Sequence, residues 1–358
     1  MSDHFQVIKD AVRLEVPEAH RVPIAIVGAG GIVDGAHLVA YKKAGLTVDA
    51  ITDTDLSKAQ EVADKHGIAH VYSSLDEMLE KSEAPIFDIA VPAAAQPELF
   101  AKIANAGKNI LAQKPMATTV EAGFVMADLV DKNKIVAAVN QQLRFEEGVA
   151  AAHKMVELGW IGTVTNFTVN VNLATPWELW PWAKEMDRLE VMLHSIHYHD
   201  MIRWFLGEPK TVFCAAGRTK DQFPKGETRT ISTYVYDDGL TALVHSSHVN
   251  RGGDNYAEYR IDGDKGSIRG TFGLLYDYPH GRISTLEVNS QVLPTDGWSS
   301  YPISTLWFPD AFIGTMGSVM SNLATGAPLR SSVRENVGTL KLVKALYESM
   351  DNERSVNL

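Results

Sequence analysis

Cysteine is almost missing from this 358-residue chain: Cys214 stands alone, which excludes an internal disulfide and favours a reducing compartment. Long apolar runs are missing as well, and none approaches the ~20 residues that span a bilayer. Met1–Val22 alternates charged and apolar residues and lacks the apolar core of a signal peptide. There is no basic excess either. Lys plus Arg number 33 against 44 Asp plus Glu, a net charge of −11, and no basic block is present to track a phosphate backbone. Together these absences predict a cytoplasmic protein that binds neither nucleic acid nor membrane. What is present is a hydrophobic content of 45%, enough for sizeable cores, in a chain long enough for two domains that share a cleft. Cys214 reads as a small buried hydrophobe.

The most specific local signal lies in residues 24–53. The apolar run Ile24-Ala25-Ile26-Val27 ends in Gly28-Ala29-Gly30-Gly31-Ile32, and an acid, Asp53, closes a second apolar stretch, Val48–Thr52. A buried strand that delivers a glycine turn brings backbone N–H groups and a helix N-terminus to a pyrophosphate. Gly28 makes the turn and Gly30 clears the approach. Asp53 is placed to accept hydrogen bonds from the adenosine ribose hydroxyls, which favours NAD over NADP because a carboxylate repels a 2′-phosphate. The third fingerprint position is Val33, where glycine or alanine is usual.

Short β-rich runs at Ile24–Val27, Thr47–Thr52, His70–Tyr72, Ile86–Val91, Asn109–Ala112 and Ile135–Val139 alternate with helical periodicity at Leu56–His66, Leu75–Lys81, Pro97–Ala106 and Val120–Asn133. This predicts a Rossmann-type, doubly wound parallel sheet over residues 23–142, with ligand at the carboxyl ends of its strands, behind an N-terminal extension over 1–22 with one weak helix. From 143 to 358 the character changes. Thr163–Leu173, Thr211–Gly217, Thr230–Tyr236, Ala242–Val249, Ala257–Asp262 and Arg282–Val288 alternate with period two, and Asp237-Asp238-Gly239 and Asp262-Gly263-Asp264-Lys265-Gly266 are turn signals. The expected second domain is α+β, on a large, mainly antiparallel sheet flanked by helices at Glu146–Leu158, Glu190–Leu206 and Val333–Met350. Its open apolar face predicts a homodimer or homotetramer.

Five segments in order resemble the Gfo/Idh/MocA family of sugar and cyclitol oxidoreductases, over about Pro23 to Ser349. They are the glycine turn with Asp53; Asp88-Ile89-Ala90-Val91-Pro92, followed by Ala93 and Gln96; Ala106-Gly107-Lys108-Asn109-Ile110-Leu111-Ala112-Gln113-Lys114-Pro115, with Gln113 where Glu is usual; Gln142-Leu143-Arg144-Phe145; and His197-Tyr198-His199-Asp200 with the Arg203–Pro209 stretch. The resemblance implies a two-domain fold, a bound nicotinamide nucleotide, and hydride transfer at a secondary alcohol or hemiacetal carbon of a carbohydrate. It implies Lys114 and His197 as catalytic residues. It also implies that Val91, Pro92, Ala93, Gln96, Gln113, Lys114 and Gln142 join Gly28, Ala29, Gly30, Gly31, Ile32 and Asp53 around the cofactor. In the family an Asp precedes the catalytic His by four residues, and here that position is Leu193. Two other readings of the same fold are a redox-neutral, NAD-retaining glycosidase and a non-catalytic sensor of cofactor and sugar.

The residues add their own argument. A lysine between a buried strand and a proline, next to an oxidised nicotinamide, loses stability as an ammonium through desolvation and like charge, so Lys114 becomes able to exchange a proton near working pH; the plainer reading is a solvated lysine at a strand end. His194 stands three residues before His197 and either adds a second polar contact to substrate or packs within the helix. His199 reads as structural or at an interface, and Asp200 as bonded within the fold. Arg144 binds polyol oxygens or joins the domains, and Asn172 is a further hydrogen-bond partner. Trp177, within the Trp177–Trp182 cluster, either lays its indole on a sugar ring or packs. Glu190, His194 and His197 fall at i, i+4 and i+7, a spacing able to present metal ligands. Zinc sites draw on more than one element, however, and His245 and His248 are expected on opposite strand faces, so no metal is expected.

Overall fold

A computed structural model describes residues 3–278 and 280–358. The chain divides into two compact units: Leu14–Phe145 with Phe308–Leu340, and Met1–Arg13, Glu146–Trp307 and Lys341–Leu358. The first holds strands β1 (Ile24–Val27), β2 (Val48–Thr52), β3 (His70–Tyr72), β4 (Ile86–Ile89), β5 (Asn109–Gln113) and β6 (Ala137–Asn140). All pairings are parallel, in the order β3-β2-β1-β4-β5-β6. The reversal of direction after β1 is the topological switch at which such sheets bind ligands beyond their carboxyl ends. β1 and β4 are fully buried on both faces, as the unbroken apolar runs require. The helices between them are started by side chains. Asp55 accepts from Ser57 and Lys58 N–H ahead of Leu56–His66, Ser74 from Glu77 N–H, and Thr119 from Ala122 N–H.

One helix of this unit, Ala311–Thr325, has no helical signal in the sequence, and residues 308–340, expected with the second domain, belong to the first unit. Its two glycines weaken the helical pattern, yet they are what lets it pack. A Cβ on Gly314 would sit 2.5 Å from Phe145, and one on Gly317 2.9 Å from Val16. Phe312, Met316, Val319 and Met320 complete the core formed with Ile24, Ile26 and Tyr41.

The second unit carries β7 (Val164–Asn172), β8 (Thr211–Gly217), β9 (Arg229–Val235), β10 (Thr241–Ser247), β11 (Tyr256–Gly263), β12 (Gly266–Thr271), β13 (Leu286–Ser290), β14 (Ser299–Ser300) and β15 (Val356–Asn357). They form one sheet in the order β14-β13-β12-β11-β7-β10-β9-β8-β15, antiparallel except for the parallel β7–β10 pair. The Asp262–Gly266 turn signal closes the β11–β12 hairpin. β12 itself, with glycine at its first and fifth positions, carries little strand signal, and β13 begins four residues later than Arg282. The segment expected as one helix from Glu190 is a π-helical turn, Glu190–His194, followed by an α-helix, Ile196–Leu206. No helix among the described residues is long and apolar enough to cross a membrane.

Candidate active site

The glycine turn sits at the carboxyl end of β1. Gly28 has φ +113°, and a Cβ there would lie 2.4 Å from the Ala90 carbonyl oxygen, so only glycine fits. At Gly30 and Gly31, both exposed, a Cβ would meet nothing within 4 Å, leaving open space over the backbone. Asp53 is half-buried: one carboxylate oxygen accepts the Ala29 N–H at 2.7 Å and the other the Asp55 N–H at 2.8 Å. The acid is thereby locked to the turn; the oxygen facing Asp55 also accepts from the Thr54 hydroxyl at 3.4 Å, while the one facing Ala29 keeps a lone pair for a ribose hydroxyl. Val33, at the third fingerprint position, is fully buried and opens a π-helical turn, Val33–His37, ahead of the Leu38–Lys43 helix.

The next two strand ends converge on Lys114. Val91 and Ala93 are half-buried and Pro92 is exposed in the loop after β4. Gln96, fully buried, donates its amide to the carbonyls of Gln113 and Pro115, both at 2.8 Å, so it clamps the loop that carries Lys114. Gln113 accepts the Lys114 N–H at 2.8 Å, and its Nε2 donates to His37 Nε2 at 3.1 Å. His37 in turn donates from Nδ1 to Asp88 at 2.7 Å, and Tyr41 donates to the same carboxylate oxygen at 2.6 Å. This chain of bonds defines the His37 tautomer. Burial lowers the Lys114 ammonium to about 8, although part of its side chain reaches solvent. The buried Oε1 atoms of Gln96 and Gln142 have no hydrogen-bond partner in the protein. Open glycines, a positioned acid and unmatched amide oxygens fit a nicotinamide dinucleotide. Arg144, 1% exposed, is engaged within its own unit: it bonds to the Arg330 carbonyl at 2.8 Å and lies 3.0 Å from Glu335.

In the second unit His197 is buried, its ring 5.5 Å from that of Trp307. His199 Nε2 lies 2.8 Å from Ser195 Oγ and its Nδ1 2.5 Å from the Tyr234 hydroxyl, and burial pulls its imidazole down to about 4, the behaviour of a neutral structural histidine. Asn172 ends β7, half-buried, opposite Ser247 and Tyr256. Trp177 is buried against Trp180 and lies 4.9 Å from the His248 ring, which is a packing position.

His245 and His248 lie on opposite faces as expected, yet His248 does join the cluster on the Glu190 turn. His245 turns to Asn170 at 2.7 Å, but His248 meets Glu190 and His194, and the donor atoms of these three lie within 4.8 Å of one another. His248 lies just past β10 on the buried face shared by Val244 and Ser246, opposite to His245, and its N–H continues the ladder to the Thr228 carbonyl at 3.0 Å; what the sequence pattern does not mark is that the Glu190 turn lies over this face. Burial alone would raise the Glu190 carboxyl, but the adjacent His194 and His248 outweigh it and hold it well below the usual range.

Residues 22–141 match the sequence profile of an oxidoreductase family with an NAD-binding Rossmann fold, GFO_IDH_MocA, and residues 149–269 match the GFO/IDH/MocA C-terminal domain. D-apiose dehydrogenase of Paraburkholderia graminis is 24% identical over 344 residues, covering 93% of this chain and 89% of that protein. Levoglucosan dehydrogenase of Pseudarthrobacter phenanthrenivorans is 25% identical over 285 residues, covering 68% of this chain and 72% of that one. Among solved structures, an oxidoreductase from Agrobacterium radiobacter in complex with NAD+, L-tartaric acid and magnesium superimposes with a TM-score of 0.84 at 23% identity, covering 94% of this chain and 98% of the other.

Proposed function

The chain belongs to the Gfo/Idh/MocA oxidoreductase family, and from that membership we propose that it is an NAD-dependent dehydrogenase of a sugar or cyclitol, acting at a secondary alcohol or hemiacetal carbon. One observation carries the reading. Lys114 directly follows β5, two strands from β1, on the edge that bears the glycine turn. At ~4.8 Å per strand, base and turn stand on the order of 10 Å apart, a distance that the nicotinamide half of a dinucleotide spans. Bound NAD supplies a hydride acceptor at nicotinamide C4. The neutral Lys114 amine takes the proton of the reacting hydroxyl. His197 holds a substrate oxygen, with Asn172 as a further hydrogen-bond partner. Gln96 and Gln113 hold the Lys114 loop in place, and the unmatched amide oxygens of Gln96 and Gln142 face the cofactor.

The test is a panel of aldoses, inositols and other polyols, followed by absorbance of the reduced cofactor. We expect turnover with NAD well above that with NADP for at least one of them. Asp53→Ala is expected to narrow that preference by about 10-fold or more, because removing the carboxylate removes its repulsion of a 2′-phosphate. Unchanged selectivity would remove the ribose role of Asp53, and no reduced cofactor with any polyol would remove the dehydrogenase itself.

A homodimer or homotetramer is the assembly we propose, supported by Phe213, Ile231 and Val235, which are exposed on one face of β8 and β9. Static light scattering should give at least twice the mass of one chain; a monomer at micromolar concentration overturns this. A cytoplasmic location is supported by the single Cys214, whose thiol is buried and pushed up to about 12, far from the reactive range.

A further inference from the structure

We propose that Glu190, His194 and His248 form a binding site for a divalent transition metal of the zinc type, with a fourth position open to an oxygen ligand. Glu190 Oε1 lies 3.6 Å from His194 Nδ1 and 3.6 Å from His248 Nε2. Charged hydrogen bonds close to about 2.7–2.9 Å, so these distances do not describe an ion pair drawn together. The two Glu190 pairs match donors arranged around a centre, and the two histidine nitrogens lie within 4.8 Å of each other. Ligands bonded at ~2.0–2.2 Å in a tetrahedron stand about 3.3–3.6 Å from one another.

The surroundings are those of a built site. Glu190 is completely buried, and its second oxygen is occupied by Ser195 Oγ at 2.9 Å and Thr230 Oγ1 at 2.6 Å, which leaves Oε1 to point inward. Oε1 has no hydrogen-bond partner, and neither does His248 Nε2, on a side chain that is 0% exposed. His248 Nδ1 lies 2.7 Å from Thr175 Oγ1. When Nδ1–H donates to that hydroxyl, Nε2 presents its lone pair to Glu190, the outer-shell arrangement that orients metal-binding histidines. The ligands come from two elements, the Glu190–His194 turn and the end of β10. Two imidazoles and a carboxylate suit zinc and its neighbours and disfavour calcium and magnesium, which take oxygen ligands. His194, 23% exposed at its side chain, gives the ion a route in.

The full-length protein, stripped with EDTA and free of cofactor and substrate, is titrated with Zn2+ and separately with Co2+, and bound metal is counted by elemental analysis after gel filtration. We expect one equivalent per chain and the intense visible bands of four-coordinate Co2+. Glu190→Gln and His248→Ala should each weaken binding by more than about 10-fold. Circular dichroism checks that these variants fold. His194→Ala, at the partly exposed ligand, provides the same readout if the buried replacements do not. Binding below a tenth of an equivalent, or wild-type affinity in His194→Ala, overturns the proposal. Because no turnover is measured, the outcome is independent of whether the polyol panel finds a substrate.

Discussion

Lys114→Met is expected to lower turnover by about 10²–10⁴-fold, the usual size of a lost general base, while NADH binding followed by fluorescence stays within about 2-fold. Methionine keeps the length and apolar stem of lysine and removes only the amine. Burial brings the Lys114 ammonium down to about 8, so below that pH the side chain is mainly charged and unable to accept a proton, and above it the free amine predominates. Alcohol oxidation by the wild type should therefore rise with pH through about 8, carbonyl reduction should fall over the same interval, and the variant's residual activity should lack this limb. Residual turnover within about 10-fold of wild type, or an unchanged limb, would show that the proton goes elsewhere.

Gly28→Ala should be the most damaging single methyl group in the first unit. Positive φ costs an alanine about 1–2 kcal/mol. Its Cβ also meets the Ala90 carbonyl at 2.4 Å, and that backbone is tied by its own N–H to the Val27 carbonyl at 2.9 Å, so it cannot yield cheaply. The total is about 3 kcal/mol or more, which lowers the melting temperature by roughly 6–12 °C for a unit of this size. Gly30→Ala is the matched control. Its methyl meets nothing in the protein, so stability should hold while NADH affinity falls, because the added group occupies the approach to the backbone. A Gly28→Ala melting point within about 2 °C of wild type would mean that the turn relaxes freely.

The parts of this molecule legible in the sequence are those dictated by backbone geometry and simple periodicity. β1 and the Leu56–His66, Leu75–Lys81 and Val120–Asn133 helices coincide with their sequence patterns because strong caps and unbroken apolar spacing mark both ends. The position of Lys114 at the end of a buried strand was legible because a strand and a proline bracket it. The Ala311–Thr325 helix was not, since the glycines that permit its close packing also dilute its pattern. Nor was the convergence of His248 on Glu190. It depends on which turn packs over the buried face of β9 and β10 and on the widening of that turn, and neither leaves a mark in local composition. Arg144 illustrates the same limit: a single arginine does not reveal that Glu335 and the Arg330 carbonyl, nearly two hundred residues away, engage it.

The bond between Gln113 and His37 has a consequence for proton inventory. Gln113 offers a lone pair to Lys114 N–H at one end and a hydrogen to His37 Nε2 at the other, and His37 spends its single proton on Asp88. Every link then has one hydrogen and one acceptor, and the buried line carries only the charge of Asp88. A glutamate at 113, the residue the family usually places there, would turn its second oxygen on a ring nitrogen that has no proton to give. The line would need one additional proton and a second buried negative charge. Gln113 and His37 are therefore a matched pair, and the amide is the form of that position that leaves the ring neutral and the lysine backbone held.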